Sequence, residues 1–452
     1  MWRKGSKMNN TVKTAITAAV AAVMTLGAVA GCGASGTAAK SDQGKVYFLN
    51  SKPEVSDSWK KIADEYTKQT GVQVTVETAA SGTYQQSLKS EFAKSEPPTL
   101  FQLSGPVDME TWKDYTADLT DTAIYKQMKD QTLALKSAET GKPVGVPFVI
   151  ESYGLIYNKD ILDKYTKTSS AAVKSVKDIN SFAKLKAVAD GMQEHKDELG
   201  IKGAFTSAGF DSSSIWRYDT HLANMALDRE FKDDGITQEP ASIKGTYLPQ
   251  FKNIFDLYLA DSTTPRTQLS SKTNDDANSE FALGDAAFYQ NGTWAWTDLQ
   301  NAGMDADKVG MIPIYMGLPN EHEQGLATGS AQYWCLNKKA DSKNIKATEQ
   351  FLDWMITSEQ GKNAIAKDMG FTTPFKTFNK VKTDNPLVAA MQKDADSKHE
   401  RVGWSFTVAP SERWKDDLGS AMLEYAQGTA GWDGVRKAFV DNWAREYQAN
   451  KH

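Results

Sequence analysis

Apolar and polar positions along this chain fall into short, readable periods. Val46-Tyr47-Phe48-Leu49 is an apolar run of strand length. Ser56-Asp57 then offers a helix N-cap, and Trp59 to Thr70 places Ile62 and Tyr66 on one face before Gly71 stops it. Val72, Val74 and Val76 alternate with polar residues, the period of a half-buried strand. Tyr84, Leu88 and Phe92 recur every fourth position on a second helix, which Pro97-Pro98 ends. Thr99 to Leu103 is again a short apolar run. Strand, helix, strand, helix, strand predicts parallel pairing and an α/β lobe.

Further on, Val146 to Ile150 leads into Glu151 to Asn158, two apolar strings around one carboxylate. This pattern predicts a long strand crossing from one lobe to the next. Helices are expected over Ser181 to Met192, Ile215 to Leu227 and Tyr247 to Leu259, and a strand over Ala286 to Tyr289 before the turn Asn291-Gly292. Met311 to Tyr315 offers a second crossover, and Gly325 to Ala331 reads as a glycine-containing loop. Thr348 to Ile356 and Glu359 to Met369 form a helix pair closed by Gly370, and the remainder is mainly helical to near Ala444. No repeat of solenoid period is present.

The start of the chain is different in kind. Basic residues (Arg3, Lys4, Lys7, Lys13) precede a small and apolar run, Ala15 to Ala30, and then Gly31 and Cys32. These are the parts of a secretory signal. The run is shorter than the ~20 residues of a membrane span. Val29-Ala30-Gly31-Cys32 resembles a bacterial lipobox, which implies acylation of Cys32 and anchoring to the outer face of the cell membrane. Two acyl chains hold a protein on a bilayer where one does not. Residues 1–31 are therefore expected to be a signal peptide and 32–44 a lipidated, flexible tether rich in small polar residues.

The rest of the 452-residue chain is too long for one core and suits two lobes. A formal net charge of -5 leaves no electrostatic footprint for nucleic acid. Cys335, in the apolar string Tyr333-Trp334-Cys335-Leu336, is expected to be a buried structural thiol. The histidines His195, His221, His322, His399 and His452 are scattered without metal-ligand spacing, and no phosphate-cradling glycine loop is present, so no cofactor is expected. The 12 tryptophans exceed the usual needs of a core, so some are expected at a surface that binds something with apolar faces.

Three segments carry a family likeness. They are Glu151-Ser152-Tyr153-Gly154-Leu155-Ile156-Tyr157-Asn158-Lys159-Asp160, then Gly284-Asp285-Ala286-Ala287-Phe288-Tyr289-Gln290-Asn291-Gly292-Thr293-Trp294-Ala295-Trp296, then Phe351-Leu352-Asp353-Trp354-Met355-Ile356-Thr357-Ser358-Glu359-Gln360-Gly361. In this order, the chain resembles the extracellular solute-binding proteins of ABC importers (family 1), the branch that contains the maltose-binding protein. The resemblance implies a two-lobed α/β fold of periplasmic-binding-protein type, with a ligand cleft between lobes joined by hinge crossovers. The N-terminal lobe would comprise residues 45–150 and 317–370, and the C-terminal lobe 151–316 and 371–452. It implies a monomer that captures an oligosaccharide and delivers it to the transmembrane subunits of a permease.

A neutral sugar presents hydroxyls at its ring edge and C–H bonds at its faces. Its site needs aromatic platforms and a polar rim, and buried polar groups left unpaired penalise the wrong ligand. By the resemblance, Trp294 is the stacking platform and Glu151 is a cleft carboxylate accepting from hydroxyls; Trp296, two positions on, points elsewhere and is expected in the core. Asn50 and Lys52 follow the first strand, and Gln102 and Ser104 end the third, at the carboxyl ends where open α/β sheets bind ligands. The family often has Trp or Asp near 102–104, and Asp108 is a substitute here. Trp216, Trp404 and Tyr333 are further aromatic candidates. A surface-anchored glycoside hydrolase is the alternative from another class, requiring a second carboxylate across the cleft from Glu151. Within binding proteins, peptide, polyamine or metal ligands are the alternatives. The cluster Asn274-Asp275-Asp276 lacks the glycine and terminal glutamate of a calcium loop and reads as a solvated face.

Overall fold

The computed structural model describes residues 43–450; Cys32, the signal peptide and all of the tether before Gln43 lie outside the described residues. Strands β1 (Lys45–Asn50) and β2 (Gln73–Thr78) pair in parallel, joined by helix α1 (Ser56–Thr70). Helix α1 buries Trp59, Ile62, Ala63 and Tyr66 on one stripe and ends at Gly71, whose φ of 79 gives the left-handed cap that glycine supplies without strain. Helix α2 (Tyr84–Phe92) leads to β3 (Leu100–Leu103), parallel to β1. Helix α3 (Pro106–Trp112) follows, and then the antiparallel pair β4 (Leu135–Lys136) and β5 (Pro143–Pro147).

Beyond Ile150 the chain enters a second sheet. Its long central strand β6 (Glu151–Asn158) pairs with β8 (Ala286–Gly292) on one side, and with β9 (Val309–Ile312) and β10 (Gln324–Gly329) on the other. Strand β7 (Gly203–Phe205) runs parallel to β8. Strand β11 (Tyr333–Leu336) returns to the first sheet between β3 and β5, and β12 (Glu400–Val402) joins the edge of the second beside β10. The orders are β2-β1-β3-β11-β5-β4 and β12-β10-β6-β8-β7.

Three expectations are corrected here. Met311 to Tyr315 is not a crossover, because β9 and β10 both stay in the second sheet; the chain crosses back at Ser330–Gln332. Gly325 to Ala331 is largely strand rather than loop. The segment returning to the first lobe accordingly starts at about 330, not 317. It extends past 370, since Phe371, Phe375 and Phe378 pack with Trp59, Trp334 and Phe351 in the first core. A second cluster, with Leu88, Phe101 and Trp112, covers the other face of that sheet and encloses Cys335. Burial pushes the Cys335 thiol well above its ordinary value, as expected of an inert structural cysteine. The second sheet has its own cores. Phe205, Tyr218, Phe255 and Trp414 lie in one, and Ile156, Phe281, Tyr289 and Trp296 in the other.

Candidate functional site

The loop after β1 is built by side chains that fold back onto it. Asn50 Nδ2 donates to the Lys52 carbonyl at 2.8 Å, and its Oδ1 accepts from Lys52 N at 3.2 Å. Gln102 Oε1 accepts from Ser51 N at 2.7 Å. The loop so held points Lys52 inward, and its ammonium lies 3.0 Å from both Glu54 and Glu151. Burial alone would lower this ammonium; Glu151 and then Glu54 more than reverse that, and Lys52 stays charged above its usual range. Burial raises the Glu151 carboxyl, against the pull of Lys52.

Facing this loop is an aromatic wall from the second lobe. Trp294 follows β8 and lies 5.8 Å from Trp216 and 6.3 Å from Trp404, measured between ring centroids. The Lys52 ammonium sits 5.5 Å from the centre of the Trp294 ring, within cation–π range. Two glycines make this wall possible by close approach. A Cβ at 292 would meet the Trp294 ring at 2.0 Å, and one at 329 would meet the Trp404 ring at 2.6 Å. Gly292→Ala is expected to cost about 1–3 kcal/mol of stability as the indole is forced off its bed, and to change the near-ultraviolet circular dichroism. An unaltered melting curve with an unaltered spectrum would contradict this packing.

His221 sits among these rings. It stacks on Tyr153 at 4.7 Å and lies 5.6, 5.2, 5.1 and 4.9 Å from Trp216, Trp294, Trp404 and Phe406. Burial, reinforced by Lys415 and Lys52, pushes its pKa down to about 3, so it is a neutral imidazole at pH 7. Asp298 lies on the same side, accepts from Asn278 Nδ2 at 3.1 Å, and is raised to about 6 by burial and then by Glu54.

These groups line one cleft of about 560 Å³, within the size range of small-molecule sites. Lys52, Glu54, Ser81, Gly82 and Ser104 come from the first lobe; Glu151, Trp216, His221, Asn274, Asp275, Asn291, Trp294, Asp298, Trp404 and Phe406 come from the second. The lobes touch at its rim, where Ser81 Oγ donates to the Ser213 carbonyl at 3.3 Å and Gly82 abuts the Ser212 carbonyl.

The family is identified by comparison. The profile of the bacterial extracellular solute-binding proteins matches residues 61–394. The chain belongs to this family. A maltooligosaccharide ABC transporter solute-binding lipoprotein of Streptococcus pneumoniae is 23% identical over 74% of this chain and 74% of its own length. Among solved structures, a sugar transporter protein of Bacillus licheniformis in complex with stachyose has a TM-score of 0.68 at 16% identity, covering 89% of this chain and all (100%) of the other. The solute-binding protein RafE in complex with raffinose has a TM-score of 0.67 at 17% identity, over 90% and 100%. The fold is therefore the two-lobed one of periplasmic binding proteins.

Within this solute-binding fold, Lys52, Ser104, Glu151, Trp216, Trp294 and Trp404 are brought together in the cleft, and Trp296 is in the core. Four candidates do not line it. Asn50 and Gln102 are spent on the loop that carries Lys52. Asp108 accepts from Ser104 N at 3.0 Å and Gln85 Nε2 at 2.8 Å, and so braces Ser104 from behind. Tyr333 lies on β11 and packs against the cluster of Phe101 and Trp112. Asp275, from the cluster read as a solvated face, is at the cleft, whereas Asp276 caps its helix by bonding Thr273. Sequence reasoning missed His221, Phe406, Glu54, Asp275 and Asp298. A π-helical turn, Arg217–Leu222, carries His221. Its i→i+5 bonding brings a residue five places after Trp216 to the same wall, a spacing outside ordinary helical patterns.

Proposed function

We propose that this protein is the substrate-binding component of an ABC carbohydrate importer. It captures an oligosaccharide in the interlobe cleft and delivers it to the transmembrane subunits of a permease. It works without catalysis, as a monomer held on the outer face of the cell membrane through acylated Cys32. The observation that carries this reading is the set of three indoles, Trp216, Trp294 and Trp404, on a cleft walled by both lobes and rimmed with carboxylates and amides. Ring faces stack on indoles, while hydroxyls find acceptors in Glu54, Glu151, Asp275 and Asp298 and donors in Lys52 and the amides. Contacts from both lobes favour the closed form, and that differential affinity drives closure. The relative named for maltooligosaccharides and the similar folds solved with raffinose and stachyose support the same class.

The lining also sets a charge rule. Four carboxylates face one ammonium, so a neutral glycan is accepted and an acidic one repelled. In a thermal-shift panel, neutral tri- and tetrasaccharides are expected to raise Tm, by an amount equal to about 2.7 kcal/mol at a hundred times Kd. Uronic-acid oligomers of equal length are expected to bind at least about tenfold more weakly. A panel in which no glycan raises Tm, or in which spermidine or a peptide does so instead, would overturn the proposal. Release of free sugar from any bound glycan would favour a hydrolase.

A further inference from the structure

Behind the aromatic wall lies a buried cation that the cleft does not use. Arg217 is wholly buried in the core of the second lobe. Its Nη2 donates to the Ser207 carbonyl at 3.0 Å and to Ser214 Oγ at 2.7 Å, while Nε and Nη1 have no hydrogen-bond partner among the described residues. Its guanidinium lies 5.3 Å from the ring centres of both Tyr218 and Tyr289. None of these contacts is a carboxylate. Glu280 contributes a favourable field but is engaged by Ser207 N at 2.7 Å, Thr263 Oγ1 at 2.8 Å and Lys272 at 3.4 Å. Asp261 faces Lys186 and Asp190.

Three further donors in the same region are buried without partners among the described residues: Ser207 Oγ, Tyr258 OH and Gln290 Nε2. They are tied to one stretch of chain. Gln290 Oε1 accepts from Thr206 Oγ1 at 3.1 Å, the Tyr258 ring packs on Phe205 at 4.8 Å, and Ser207 carries the carbonyl that Arg217 grips. A guanidinium cannot shed its proton to escape burial, and an uncompensated buried charge is costly. Water would satisfy the N–H groups and leave the charge. An anion satisfies both. Arg217, Ser207, Tyr258 and Gln290 are all fully buried and the unpaired atoms named on them are donors, which favours a small monovalent ion over a carboxylate or a phosphate.

We propose that Arg217, with Ser207 and Tyr258, holds a chloride ion in the second lobe. Arg217 begins the π-helical turn that follows Trp216 and carries His221, so the ion fixes the part of the fold that presents both rings to the cleft. The test uses the full mature chain without sugar. Tm should rise with sodium chloride or bromide and stay flat with sodium gluconate at equal ionic strength, as mass action requires of a bound ion. Crystals grown in bromide should give an anomalous peak within hydrogen-bonding distance of the guanidinium. Ser207→Ala should reduce the halide dependence, and Arg217→Met, if it folds, should abolish it. Equal Tm in chloride and gluconate, or a site holding water only and no anomalous peak, overturns the proposal.

Discussion

Replacing Trp294 with alanine is expected to weaken oligosaccharide binding by at least about 2 kcal/mol, roughly thirtyfold, the range for an aromatic anchor at the centre of an interface. Trp294 is the right place for so large an effect. It is only part-buried, it packs on Trp216, His221 and Trp404 at once, and it also faces the Lys52 ammonium from the other lobe. Trp296, two residues on, is the internal control. It is 4% exposed, among Phe281, Tyr289 and Leu299. Trp296→Ala should cost about 3–5 kcal/mol of stability and leave the affinity of the folded fraction unchanged. Calorimetric titration read beside thermal melting separates the two. Equal losses of affinity in both variants would refute the assignment of the platform.

Lys52→Met is expected to destabilise the ligand-free protein by about 3–5 kcal/mol at neutral pH, the usual penalty for leaving a buried charge without its partner. The side chains of Lys52, Glu54 and Glu151 are 7%, 10% and 4% exposed, so solvent screens them little. Without the ammonium two buried carboxylates face each other, and one must bind a proton in the folded state. A carboxyl whose folded pKa lies above its unfolded value imposes no penalty below the unfolded value, near 4.3 for glutamate, and an increasing one as pH rises through the folded value. The loss should therefore be small near pH 4–5 and full at pH 8. Denaturant titrations at both ends of that window check it. A loss that does not vary with pH would show that Lys52 acts by packing alone.

The fold was legible where period alone decides. Val72, Val74 and Val76 alternate and form β2; Ile62 and Tyr66 share a stripe and α1 buries it. It was illegible where glycine serves packing rather than turning. Gly325 and Gly329 suggested a loop, yet both lie in β10. A Cβ there would meet Asp394 at 2.7 Å and Trp404 at 2.6 Å, so the glycines admit neighbours to a strand. Met311 to Tyr315 looked like Val146 to Ile150 because an apolar string does not say which sheet it joins. The abundance of tryptophan was a weak guide, since Trp59, Trp334, Trp414 and Trp443 simply fill cores. Position was the better signal, as the segment from Asn291 to Trp294 and the carboxyl ends of the strands led to Trp294, Lys52 and Ser104. His221 had no such marker, because a single histidine acquires its surroundings only when the π turn brings the indoles around it.

The threading of the two sheets has a consequence for how the chain matures. Strand β11 fills the middle of the first sheet, between β3 and β5, and is supplied from residues 333–336. Until that stretch has emerged from the ribosome, the early strands form two fragments with unpaired edges and neither half can seal its interior. Contacts so far apart in sequence make for slow closure. Such an order of assembly leaves the first sheet in two pieces until about three-quarters of the polypeptide has been made.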